Sequence, residues 1–126
     1  MRGDEELAVH AFTRWLEGAG WSVRVKVDHC DVVADRGPER LYAEAKGETT
    51  SHGLDVDTLY GQLLRRMAPG ADHLTRYGVV VRPSCRQHAL RVPEHIRSEL
   101  RIDVYLVSDA GTVEVIRPVP VLHPER

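Results

Sequence analysis

Glu44 and Lys46 place two ionisable side chains inside the apolar run of the segment LYAEAKGE (41–48). A β-strand has a side-chain period of two, so a strand here places both side chains on one face. An ordinary ion pair is one interpretation, and half of a metal-dependent active site is the other. An isolated charge in a buried strand is costly. This cost favours a functional reason for the pair.

Asp31 adds a second carboxylate, because it begins the segment CDVVADR (30–36), which has the character of the preceding strand. Carboxylates on neighbouring strands can converge on one ion. Mg²⁺ prefers hard oxygen ligands and is usually held by one or two carboxylates, with water and phosphate completing its shell. Lys46, facing the same way as Glu44, either orients an attacking water or stabilises charge on a phosphate. A role as base would require a lowered pKa.

The elements that must position these residues follow from hydrophobic periodicity and turn signals. The patterns predict helices at 4–19, 55–68 and 92–100, and strands at 21–27, 30–36, 40–47, 77–83 and 102–108, with 112–116 completing a final strand or hairpin. Asp4 is the expected N-cap of the first helix. The order α-β-β-β-α-β-α-β, a meander followed by helix-linked strands, predicts an α/β fold with a mixed central sheet flanked by helices.

With CDVVAD, YAEAKG and YGQLLRRM in this order, the chain resembles the PD-(D/E)xK nuclease superfamily, which includes restriction endonucleases, Holliday junction resolvases and RecB-type nuclease domains. The resemblance covers about residues 4–82 and implies a restriction-endonuclease-like fold. One departure is Cys30, which stands where the superfamily often has proline.

The resemblance also implies roles for particular residues. Asp31 and Glu44 become metal ligands together with the backbone carbonyl of Ala45, and the ion is Mg²⁺ or Mn²⁺. Lys46 is catalytic, and Gln62 positions lysine, metal or phosphate.

The superfamily acid of the first helix has two candidates. On a helical wheel Glu5 lies on the apolar side and Glu6 faces away, so Glu5 is preferred and Glu6 is the alternative. Arg65, Arg66 and His52 are candidate substrate contacts. No HxxxH or HExxH spacing occurs, so histidine is not the expected metal ligand.

Composition sets the remaining bounds. A length of 126 residues suits one domain, which we place at 1–117 with an extended proline-rich tail at 118–126. The formal net charge of −2 argues against strong non-specific DNA affinity. Cys30 and Cys85 are expected to be reduced and buried. The acidic N-terminal segment and the lack of a long apolar run predict a cytoplasmic protein without a membrane span.

These observations predict an enzyme, a metal-dependent nuclease that hydrolyses phosphodiester bonds of DNA. The alternative is a non-catalytic nucleic-acid-binding or assembly module with the same fold. The sequence leaves open DNA against RNA, endonuclease against exonuclease, and a homodimer or larger complex against a monomer.

Overall fold

The computed structural model describes residues 3–120. The part of the predicted tail from position 121 onward lies outside the described residues. In chain order the elements are α1 (Asp4–Gly18), β1 (Ser22–Val27), β2 (Cys30–Arg36), β3 (Glu39–Ala45), α2 (His52–Leu64), β4 (Thr75–Val81), a 3₁₀ turn (Pro83–Cys85), α3 (Arg86–Ala89), α4 (Glu94–Leu100), β5 (Ile102–Val107) and β6 (Val113–Ile116).

The strands form one 6-stranded sheet in the order β1-β2-β3-β4-β5-β6. The first three strands pair antiparallel, β3, β4 and β5 are parallel, and β6 returns antiparallel to β5. Parallel neighbours require a crossover, and α2 provides it between β3 and β4. The mixed sheet with flanking helices predicted from the sequence is confirmed.

Alternation along β3 sends its side chains into two cores on opposite faces of the sheet. Leu41, Ala43 and Ala45 pack in the core formed with α1, which contributes Phe12 and Leu16. Tyr42, on the other face, packs against the core formed with α2. Glu44 follows the same alternation and therefore projects toward α2 at the end of the strand.

Asp4 is not the N-cap of α1, contrary to the expectation from its residue type. Gly3 occupies the cap position without a side-chain cap hydrogen bond, and Asp4 is the first helical residue. Its carboxylate instead accepts hydrogen bonds from Arg82 and from the backbone N–H of Glu48. A charged partner distant in sequence has replaced the local cap, because a guanidinium binds a carboxylate more strongly than a backbone N–H does.

Two short elements extend the predicted order. The segment after β5 forms a hairpin, so the last strand is β6, and the turn after β4 contains the one-turn helix α3. The second predicted helix also begins earlier than its periodicity indicated, at His52 instead of 55. Within residues 3–120 no helix combines the length and the hydrophobicity that a bilayer crossing requires.

Gly78 is required by packing in the centre of β4. A Cβ atom at this position would lie 2.7 Å from Cε2 and 3.1 Å from Cδ2 of Tyr105, which is itself buried. The ring of Tyr105 therefore fills the space that a side chain at 78 would need. Gly61 in α2 is different, because an added Cβ there meets nothing within 4 Å.

This contrast predicts opposite effects of the same substitution at two glycines. Gly78→Ala should lower the free energy of unfolding by about 1–3 kcal/mol through overpacking against Tyr105. Gly61→Ala should raise it by about 0.5–1 kcal/mol, because alanine loses less backbone entropy in a helix. Urea unfolding of both variants measures the difference, and equal shifts would contradict the packing of Tyr105 over Gly78.

Candidate active site

One cavity of about 200 Å³ opens at the end of β3, where α1 and α2 reach the sheet from opposite faces. Its walls come from the hairpin before β2, the end of β3, the start of α1 and the inner side of α2. The lining residues are Glu5, His29, Asp31, Glu44, Ala45, Lys46, Asp55, Thr58, Leu59, Gln62 and Arg66. The structure thus brings together the principal site residues that the sequence predicted.

The register between β2 and β3 places Asp31 beside Glu44. Val32 pairs with Ala43 and Val33 with Tyr42, so the next position of each strand sets Asp31 across from Glu44. Oδ2 of Asp31 accepts a hydrogen bond from the backbone N–H of Ala45 at 2.8 Å, which orients the carboxylate toward the end of β3. Both carboxylates therefore point into the same cavity.

Glu44 is a buried carboxylate whose protonated form is favoured by its surroundings. Only 3% of the residue is exposed. Burial raises the pKa of Glu44, and the charge of Asp31 and a hydrogen bond between the two carboxyl groups raise it further. Arg66 acts in the opposite direction through its own hydrogen bond and charge.

Arg66 is the basic side chain that contacts this carboxylate. Its Nε donates to Oε1 of Glu44 at 3.3 Å, and its Nη2 donates to the backbone carbonyl of His29. The guanidinium therefore joins the end of β3 to the β1–β2 hairpin. The sequence predicted Arg66 as a substrate contact and did not predict this ion pair.

Lys46 and Gln62 line the same cavity from different elements. The backbone N–H of Lys46 donates to the carbonyl of Val80 at 2.9 Å, so the parallel pairing of β3 with β4 continues through Lys46. This pairing keeps the strand alternation, and Lys46 shares the face of Glu44. Gln62 lies on α2 between the buried residues Leu59 and Leu63 and is itself partly exposed to the cavity.

Glu5 lines the cavity, whereas Glu6 is exposed and does not. Burial raises the pKa of Glu5, and the charge of Asp31 raises it further, while Lys46 and Lys26 lower it. The carboxyl group of Glu5 is thus electrostatically coupled to both the acidic and the basic members of the site. The geometry favours Glu5 of the two candidates in the first helix.

The start of α1 is fixed against the loop that follows β3. Arg82, 4% exposed, donates from Nη2 to Oδ1 of Asp4 at 2.6 Å and from Nε to Oδ2 at 2.8 Å. A Cβ atom at Gly47 would lie 2.4 Å from the backbone nitrogen of Glu5. Only glycine permits this approach, which sets Glu5 over the end of β3.

Two predicted substrate contacts do not line the cavity. His52 begins α2, lies 3.7 Å from a carboxylate oxygen of Glu48, and has its ring in edge contact with that of His88. Arg65 is the exposed C-cap of α2. His52 and Arg65 lie outside the set of residues that line the cavity. Their role in binding stays a prediction.

Asp55 and Thr58 line the cavity and were not predicted. Asp55 accepts a hydrogen bond from the hydroxyl of Thr49, which connects α2 to the loop after Lys46. The signal for both residues was the spacing from Gln62, since positions three to four residues apart share a helix face.

The thiol of Cys30 is next to the site but is unsuited to nucleophilic chemistry. It donates to the carbonyls of Val32 and Ala43, each at 3.4 Å. Burial, followed by the charge of Glu44, raises the pKa of Cys30 to about 11, so the reactive thiolate is scarce at neutral pH. Cys30 and Cys85 are both free and buried, as the sequence predicted.

The donor set fits a hard divalent cation held by a carboxylate pair. Within residues 3–120 no group of three or more His, Cys, Asp or Glu side chains is arranged to hold a metal ion. Two neighbouring carboxylates in one cavity satisfy the requirement of Mg²⁺, which leaves its other positions to water and phosphate. Burial and then the charge of Asp31 raise the pKa of Glu44, and a cation at this pair would favour the ionised form of Glu44.

The sheet order, the crossover helix and the site at the end of β3 define a protein with a restriction-endonuclease-like α/β fold. Two solved structures share this architecture. One is an XisH family protein from Nostoc punctiforme, 19% identical, with a TM-score of 0.57 over 86% of this chain and 98% of that chain. The other is an fdxN element excision controlling factor protein from Anabaena variabilis, 16% identical, with a TM-score of 0.58 over 90% of this chain and 97% of that chain.

No protein-family model matches the chain, and no curated protein matches it. The identities to the two solved structures lie below the level at which function follows from similarity. The similarity establishes the fold, and the function must be argued from the site.

The raised pKa of Glu44 predicts that the stability of the fold depends on pH in an unusual direction. Its pKa is raised above 4.5 in the folded chain, so the folded chain binds this proton more readily than the unfolded chain. The free energy of unfolding therefore falls as the pH rises from the pKa of Glu44 in the unfolded chain to its pKa in the folded chain. Glu44→Gln, which mimics the protonated form, should be more stable than the unsubstituted protein at about pH 7 and should lose this advantage toward about pH 4.

Urea unfolding across this pH range measures the effect, with Glu114→Gln as the matched control. Glu114 is paired with Arg86 in an exposed position, and its substitution should change stability by less than about 0.5 kcal/mol at either pH. Parallel pH profiles for the Glu44→Gln variant and the unsubstituted protein would contradict the burial of an ionised Glu44.

Proposed function

We propose that this chain is a divalent-metal-dependent nuclease that hydrolyses phosphodiester bonds of DNA. The observation that supports this most is the pair formed by the buried Glu44 and the half-buried Asp31, which line one cavity together with Lys46. A stable fold gains nothing from two adjacent carboxylates of which one is buried, since like charges repel each other. A bound cation would account for the carboxylate pair, and a bound phosphate would account for Lys46 beside it.

In this proposal each residue has a defined part in binding or positioning. Asp31 and Glu44, with the backbone carbonyl of Ala45, hold Mg²⁺ or Mn²⁺. The ion, when bound, supplies charge neutralisation at the reacting phosphate. Glu5 orders water on the α1 side, and Gln62 positions the phosphate or Lys46 from α2.

Lys46 is the proposed catalytic amine, and its two candidate roles stay open. As an ammonium it would stabilise negative charge that develops on the phosphate. As an amine it would take a proton from the attacking water.

Nucleic acid, and DNA in particular, is the proposed substrate. The Anabaena variabilis protein is described as controlling excision of an element, and this description supports a DNA-related role. Arg65, Arg66 and His52 are the proposed contacts with the phosphate backbone. A homodimer that presents two sites to a duplex, and a cytoplasmic location, are further parts of the proposal.

A non-catalytic nucleic-acid-binding or assembly module is the second candidate. The description of that protein as a controlling factor favours it, because control of excision does not itself require phosphodiester hydrolysis. The two candidates differ in whether the carboxylate pair binds a metal ion, and this difference can be measured without a known substrate.

Calorimetry with Mn²⁺ separates the two candidates. The unsubstituted protein should bind the ion, and Asp31→Asn should weaken binding by roughly tenfold or more, since even groups behind the ligands have effects of this size. Asp57→Asn, an exposed position on α2, serves as the matched control and should bind normally. If the unsubstituted protein and Asp31→Asn give no binding signal, the binding-module candidate is favoured.

Cleavage assays test the catalytic assignment on duplex, single-stranded, flap and four-way-junction DNA and on RNA. Lys46→Met should reduce the rate on whichever substrate is cleaved by roughly 10²–10³-fold, the usual effect of removing one group that stabilises transition-state charge. Asp57→Asn again provides the control. Cleavage that persists in a folded Lys46→Met variant would show that a different mechanism or a contaminating nuclease is responsible.

A further inference from the structure

Arg66 joins a carboxylate of the site to the hairpin between β1 and β2. Its guanidinium binds the carboxylate of Glu44 and the backbone carbonyl of His29. The side chain of Glu44 is 5% exposed and that of Arg66 is 26% exposed. Within the part of the chain that the structure describes, no other basic side chain lies in ion-pair range of Glu44. Arg66 is therefore the counterion of this carboxylate.

The same carboxylate is one of the two proposed metal ligands. A divalent ion beside Asp31 and Glu44 would bring two further positive charges next to a guanidinium already in contact with Glu44. Like charges at such short range repel each other. Arg66 and the metal ion therefore compete for Glu44, and the ion pair must weaken as the ion binds.

Arg66 lies just beyond the end of α2. The helix α2 ends at Leu64, and Arg66 follows the C-cap residue Arg65, with its N–H bonded to the carbonyl of Leu63 at 2.9 Å. The side chain also borders a second, open depression beside the β2–β3 turn. The guanidinium of Arg66 borders both the site cavity and this depression. It can therefore move away from Glu44 while the buried residues of α2 stay in place.

We infer that Arg66 is an exchangeable counterion: it neutralises Glu44 in the metal-free protein, leaves Glu44 when a divalent ion binds, and then binds a phosphate of the substrate. This inference rests on the proposed function and deepens it. Arginine suits the second task because its planar fork matches phosphate oxygens. Metal binding would thereby create the phosphate contact, so that metal precedes nucleic acid.

Calorimetry with Mn²⁺ tests the competition directly. Arg66→Met should bind Mn²⁺ roughly three- to tenfold more tightly than the unsubstituted protein, a change within the range that neighbouring groups exert on metal sites. Arg86→Met removes an exposed arginine that pairs with Glu114 and does not line the cavity, and it should leave the affinity unchanged. Arg66→Lys retains the positive charge and should bind Mn²⁺ close to the unsubstituted protein. Equal or weaker binding by Arg66→Met overturns the inference.

Side-chain NMR follows the guanidinium itself. In the unsubstituted protein the Nε–H signal of Arg66, assigned by its absence from Arg66→Met, should shift as Mg²⁺ is added, while the signal of Arg86, which does not line the cavity, stays in place. Dimethyl phosphate, a simple phosphodiester, should then shift the Arg66 signal only when Mg²⁺ is present. A signal that ignores Mg²⁺, or that responds to dimethyl phosphate alone, overturns the inference.

The outcomes separate this inference from the proposed function. If Asp31→Asn abolishes Mn²⁺ binding while Arg66→Met and Arg86→Met behave alike, the metal site stands and the counterion exchange is wrong. If Asp31→Asn leaves Mn²⁺ binding intact, or if the unsubstituted protein binds none, the metal site and the inference both fail.

Discussion

The register between β2 and β3 forces two carboxylates to share one cavity, and the rest of the site responds to that constraint. Asp31 and Glu44 face each other because the strands pair through Val32 with Ala43 and Val33 with Tyr42. Burial, followed by the charge of Asp31, raises the pKa of Glu44. Such a pair reduces stability unless a positive charge accompanies it. Arg66 supplies one charge, and we propose that a metal ion supplies more.

The fold concentrates its polar contacts where two helices approach this pair. The start of α1 is held by the buried ion pair of Asp4 with Arg82 and by the absence of a side chain at Gly47. Gln62 lies on α2, and the buried residues of this helix pack in the core. This packing fixes where Gln62 meets the cavity. Proteins often accept strain and unfavourable charge at functional sites while the surrounding core over-determines the structure. The two cores on either face of β3 provide that support.

Local sequence patterns were sufficient to predict much of the fold and the positions of the principal site residues. Strand alternation correctly placed Glu44 and Lys46 on one face, and hydrophobic periodicity identified α1, α2 and the strands that align Asp31 and Gln62. The same patterns predicted the mixed sheet, because a meander followed by crossover helices has few compact arrangements. The residues themselves were identified through the resemblance as much as through the pattern.

Long-range pairing explains what the sequence did not predict. Asp4 was expected to cap a helix, but Arg82 lies 78 positions away in the chain and binds its carboxylate. The long side chain of Arg66 begins beyond the end of α2, so its contact with Glu44 depends on how α2 docks on the sheet. Propensity and spacing carry no information about such docking, and only the folded structure relates these residues.

A crystal structure of the protein soaked in Mn²⁺, with anomalous diffraction to locate the ion, tests the central claim most directly. We expect one anomalous peak between the carboxylates of Asp31 and Glu44, with the guanidinium of Arg66 moved away from Glu44. Well-diffracting crystals that show no peak there, with the two carboxyl groups still hydrogen-bonded to each other, would contradict a metal site at the end of β3.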